Sequence, residues 1–159
     1  MKRISILFLQ AVVVLIGIVA LVILIRLPLT EGRAANLDLF SIYSDPFILY
    51  GYVASIPFFV ALYQAFKLLG YIGENKVFSL NSVKALRTIK YCAITGIGFI
   101  VVGEVCLIIT QHGKDDMAGP IALGIFTTFV SIVIATAAAV FEKLLQKAVD
   151  IKSENDLTV

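Results

Sequence analysis

GIGFIVVGEVCLIITQH, residues 96–112, reads as sequence that crosses a lipid bilayer, yet it carries a carboxylate, Glu104, in its interior. The apolar run around it extends over 91–110. A helix rising about 1.5 Å per residue needs roughly 20 residues to cross about 30 Å of hydrocarbon, and this run supplies them. Three more runs of that kind occupy 4–25, 46–69 and 120–141. Backbone amides in lipid must find partners within their own segment, so each run should be a helix. A membrane barrel would need segments of about 10 residues that alternate apolar and polar, and these do not alternate.

Composition agrees. Of 159 residues, 60% are hydrophobic and 15% charged, with mean hydropathy +0.99. Soluble domains carry about 45–50% apolar and about 25% charged residues. The expected fold is therefore all-α: a single integral membrane domain over 1–159, an up-down four-helix bundle. The first run follows Lys2 and Arg3, as a signal peptide would. It is longer than the 7–15 apolar residues of a signal, so an uncleaved anchor helix is expected.

Charge gives the orientation. Ten of the thirteen lysines and arginines fall on one side of such a layout, and only Arg26, Arg33 and Lys114 on the other. The positive-inside rule then places both termini in the cytoplasm. Tyr43 and Tyr50 fall near the outer interface, Tyr71 and Tyr91 near the inner one.

Within the spans, small residues should set the packing, because lipid is as apolar as leucine and helices associate through close contact. The third helix offers Cys92, Gly96, Phe99, Gly103, Cys106 and Thr110 at spacings of four and three. The fourth offers Gly124, Thr128, Ser131, Ala135 and Ala138. These two should be the closest pair. Pro57, lacking an N–H in the middle of the second helix, should kink it. Pro120 suits the first turn of the fourth.

The inner loop leads from Gly73 into the third span. Asn81 or Ser82 can cap a helix there. Val83, Leu86 and Ile89 follow at helical spacing beside Lys84, Arg87 and Lys90. The segment 81–90 reads as an amphipathic extension whose basic face meets anionic headgroups or docks a cytoplasmic partner. The tail, 142–159, continues helically with Leu144, Leu145, Ala148 and Ile151 on one strip, until SEND, 153–156, ends it.

Chemistry is sparse. The lone histidine, His112, has no ligand partner at metal spacing. Cys92 and Cys106 stand about 21 Å apart along one helix, too far for a disulfide. No phosphate loop, nucleophile elbow or nucleic-acid motif occurs. No catalysis, cofactor, metal or direct nucleic-acid binding is expected. Glu104 is the exception. A carboxylate in hydrocarbon is costly and should face the bundle or reach outward. Thr127 and Thr128 lie at matching depth on the fourth helix, Tyr52 and Ser55 on the second, and Arg26 ends the first on the same side. Glu104 can be a structural hydrogen-bonding group, a residue reaching the outer surface, or a proton-, cation- or ligand-binding site.

VFSLNSVKALRTIKYCAI, 77–94, and the closing SENDLTV, 153–159, resemble an uncharacterised family of small bacterial four-helix membrane proteins. In that family a Phe-Ser pair, an asparagine and basic residues lead into the third span. Its domain has no assigned function and no established site residues. Its members are commonly encoded beside a small helix-turn-helix regulator. With the orientation above, the resemblance thus implies a non-enzymatic sensor or tether, multi-pass in a bacterial cytoplasmic membrane, for a cytoplasmic regulator. A small transporter, channel or ion-binding subunit using Glu104, working as a homo-oligomer, is the alternative.

Overall fold

The computed structural model describes residues 2–30, 43, 45–111 and 118–157. Among these residues run four long helices: α1 (Lys2–Thr30), α2 (Pro46–Gly73), α3 (Leu80–Gln111) and α4 (Ala118–Leu157). No strand occurs among the described residues. Each apolar run lies inside one helix, and all four helices are long and apolar enough to cross a membrane. Large apolar side chains such as Phe8, Ile109 and Phe129 point outward along them. Hydrocarbon tolerates such a surface and water does not. His112 and the turn around it lie outside the described residues, as does most of the loop after α1.

Successive helices pack in chain order. The α3–α4 contact is the most extensive, α2–α3 follows, and α1–α2 is the slightest. Spacing explains why α3 sits in the middle. Its residues 89, 92, 96, 99 and 103 form one sheltered stripe, and 86, 90, 93, 97, 100, 104 and 107 form a second beside it. Both follow the alternating three–four rhythm that keeps a helix face in register. The first receives α2: the Tyr50 hydroxyl donates to the Phe99 carbonyl, and its ring packs edge-on against Phe99 and close to Gly103. Tyr50 therefore packs between helices. The second stripe meets α4, whose own sheltered stripe is the small-residue series from Gly124 to Ala138, continued by Glu142 and Leu145.

Helix α1 packs on α2 through small residues and one amide. Gly17 admits Leu62, and Gln10 Nε2 donates to the Phe66 carbonyl at 3.5 Å. The helix runs past Arg26 to Thr30 with Pro28 inside it. A proline removes the donor for the carbonyl four residues earlier, here Leu24. The Tyr52 hydroxyl of α2 donates to that same carbonyl at 3.3 Å, so a neighbouring helix satisfies what Pro28 leaves open. Helix α2 continues through Pro57 without interruption.

The α2–α3 turn closes the basic end. Asn75 adopts φ 58°, a left-handed conformation that asparagine accepts better than most residues. Asn75 N–H then reaches the Ile72 carbonyl, and Lys76 N–H the Tyr71 carbonyl, which is a Schellman closure. Lys76 also pairs with Glu74 at 2.8 Å and holds its carboxyl below the usual carboxylate range. Both side chains are exposed, so the pair contributes little.

Ser79, not Asn81 or Ser82, caps α3. Its hydroxyl accepts from Ser82 N–H, and its carbonyl accepts from Val83 N–H. Ser82 is instead fully buried, with its hydroxyl on the Lys76 carbonyl. Val83 and Leu86 are buried at 2% and 7% exposure. The apolar face of the 81–90 segment thus packs into protein, and the driest part of the molecule lies here, at the basic ends of α3 and α4. At the far end of the chain, SEND does not stop α4. Ser153 Oγ donates back to the Asp150 carbonyl and the helix runs on to Leu157.

Candidate functional site

Two polar places interrupt the apolar α3–α4 seam, one at each end. Near the Thr110 end, Glu104 lies on the α4-facing stripe of α3. Its carboxyl group fills the notch above Gly124, so closely that a Cβ at position 124 would overlap its Oε1, Cδ and Cγ atoms. The missing side chain at Gly124 is what admits the carboxyl group in this position. Glu104 Oε1 is buried and has no hydrogen-bond partner among the described residues.

The five groups expected around it do not reach that oxygen. Thr127 turns its hydroxyl back to the Leu123 carbonyl at 2.7 Å and is exposed. Thr128 is half-buried on the α4 stripe, one turn beyond Gly124. Arg26 is exposed and makes no ion pair among the described residues. Tyr52 serves Leu24, and Ser55 donates to the Tyr52 carbonyl. What Glu104 offers is one buried carboxylate oxygen against the Gly124 notch between α3 and α4. It can accept a proton or a cationic group. Among the described residues no hydrogen-bonded nucleophile or second acid accompanies that oxygen.

At the basic end the seam closes on Glu142 of α4. Arg87 Nε donates to its Oε1 at 2.6 Å, and Lys90 Nζ to its Oε2 at 2.7 Å. Glu142 is buried, with 8% of the residue exposed. Lys90 is largely sheltered and stacks its ammonium over the Tyr91 ring, 4.8 Å from the centroid, whereas Arg87 is half exposed. Two of the three basic residues read as a lipid or partner face therefore hold α4 as well, while Lys84 stays exposed. Glu142 itself escaped the sequence reading. The signal was present: it continues the 3–4 stripe four residues after Ala138 and is the first acid after the apolar run.

The described residues contain no group of three or more His, Cys, Asp or Glu that could hold a metal. Cys92 and Cys106 are free thiols.

Apolar helices long enough to span a bilayer, with polar groups drawn into the helix seams, define a multi-pass helical membrane protein. Residues 29–159 match the family described as "Protein of unknown function (DUF2975)", and the chain belongs to that family. It is 48% identical over 161 residues to "Uncharacterized membrane protein YoaS" of Bacillus subtilis (strain 168), with 100% of both chains covered. No solved structure matches it.

Proposed function

We propose that this chain is a non-enzymatic anchor in the bacterial cytoplasmic membrane that holds a cytoplasmic regulator at its basic end. One observation carries the reading. Helix α4 does not stop where its apolar run ends at Phe141 but continues unbroken to Leu157, about 24 Å further at 1.5 Å per residue. On that overhang Leu144 and Ile151, seven residues apart on one face, are both exposed. A helix projecting beyond the bilayer with uncovered apolar side chains is a docking element of the helix-in-groove kind. The Glu142 contacts fix its root on α3, so a bound partner is held at a set position. The basic-residue asymmetry supports a cytoplasmic placement, and the family resemblance supports a helix-turn-helix regulator as the partner.

The test is co-purification from native membranes of a helix-turn-helix regulator with wild type and with a Leu144→Ser/Ile151→Ser variant. Capture by wild type and loss in the variant is expected. Equal capture by both, or none by either, would contradict the reading.

A second reading rests on the orphan Glu104 oxygen: a small oligomeric transporter, channel or ion-binding subunit. It predicts cation flux in reconstituted vesicles that Glu104→Gln abolishes. Absence of flux from wild type, or flux unchanged in the variant, would count against it.

A further inference from the structure

A cleft of about 520 Å³ opens beside Glu142, lined by Arg87 of α3 and by Val140, Glu142, Lys143, Leu144 and Lys147 of α4. Its charges do not cancel. The single carboxylate already faces two cations, Arg87 and Lys90. Lys143 and Lys147 are exposed and have no ion-pair partner among the described residues. Arg87 gives only its Nε to Glu142. A guanidinium has five N–H donors in a rigid fork, so Glu142 holds this one in place and leaves its terminal nitrogens for another acceptor.

The other half of the lining is apolar. Val140 and Leu144 are exposed, at the level where the apolar run of α4 gives way to charge. One open-sided cleft thus presents a fixed guanidinium and two lysines next to aliphatic surface. A phosphate suits that cationic set, since arginine takes it by paired hydrogen bonds and lysine as a point charge. A free anion would have no use for Val140. A phosphate carrying an acyl chain uses both halves, and basic pockets at the cytoplasmic ends of membrane helices suit anionic headgroups.

We propose that this cleft binds one anionic phospholipid, its phosphate held by Arg87, Lys143 and Lys147 and the start of its acyl chain lying on Val140, on the membrane side of Leu144. The site differs from a diffuse attraction of the basic loop to the membrane. It has a stoichiometry of one, it excludes Lys84, and Lys90 contributes only by neutralising Glu142.

The experiment is native mass spectrometry of the full chain in detergent, titrated separately with phosphatidylglycerol, phosphatidylcholine and inorganic phosphate. One phosphatidylglycerol should stay bound at concentrations where neither of the others does. Lys143→Ala/Lys147→Ala should weaken it roughly 30-fold, taking about 1 kcal/mol per basic residue at a membrane surface and 1.4 kcal/mol per tenfold. Lys84→Ala/Lys152→Ala, which removes the same charge from exposed positions at the same end, should bind as wild type does. Arg87 is kept, because its loss would also free α4 from Glu142. Equal weakening in the two variants, or equal retention of phosphatidylcholine, would overturn the site. Inorganic phosphate binding as tightly as the lipid would overturn its lipid half.

Discussion

Glu142 and Glu104 are both carboxylates on the α3–α4 seam, and their surroundings give them opposite parts. Glu142 has a cation on each oxygen. Glu142→Ala would leave Lys90 sheltered without its acid, and losing one partner of a buried pair costs about 3–5 kcal/mol. Arg87 is half exposed and can turn to solvent, so its share is small. A loss of about 2–3 kcal/mol is expected, read as a shift in the unfolding midpoint in detergent. Glu142→Gln should recover part of it through the amide oxygen. No shift in Glu142→Ala would show that the two cations do not hold α4. Glu104 has no such partner, and its place is set by the missing side chain at Gly124. Gly124→Ala should therefore destabilise the fold by about 1–3 kcal/mol through overpacking. Glu104→Ser should cancel most of that in the double variant, a coupling that independent sites would not give. Glu104 was legible from sequence because a carboxylate in an apolar run stands alone. Its contact with Gly124 was not, because several polar residues of α4 lie at nearly the same depth and only the register of packing selects among them.

At the scale of single helices, length and apolar content were enough to place all four, since a membrane leaves the backbone no cheaper option than the helix. The ends were harder. Ser79, Asn81 and Ser82 are all good caps, and burial chose among them: Ser82 was taken into the core, which left the cap to Ser79. SEND looked like a stop because its residues compete with the backbone for hydrogen bonds. Ser153 met its need inside the helix instead. The pairing of Arg87 and Lys90 with Glu142 spans 55 and 52 residues and no local pattern announces it. Pro28 shows how one helix depends on the next. Tyr52→Phe would strand the Leu24 carbonyl in an apolar place. Interhelical hydrogen bonds in membranes average about 0.6 kcal/mol, and a loss of that order is expected in unfolding titrations. Pro28→Ala restores an N–H at position 28, so Tyr52→Phe should cost markedly less in that background. An equal cost in both would mean that Tyr52 is not compensating for Pro28.

For the whole molecule, the contacts run α1 to α2 to α3 to α4, and the firmest junction lies at the basic end. Two lines of reasoning converge there. The long overhang of α4 and the basic cleft both sit beside the Glu142 contacts, so a partner and an anionic lipid would meet the same fixed corner of the fold. Both readings require that this corner face the cytoplasm. The most direct test is thiol accessibility. In a background with Cys92 and Cys106 changed to serine, single Lys152→Cys and Asp45→Cys variants are treated in intact cells with a membrane-impermeant maleimide. The account predicts that Asp45→Cys labels in intact cells and Lys152→Cys only after the membrane is opened. Labelling of Lys152→Cys in intact cells would turn the basic end outward and contradict it.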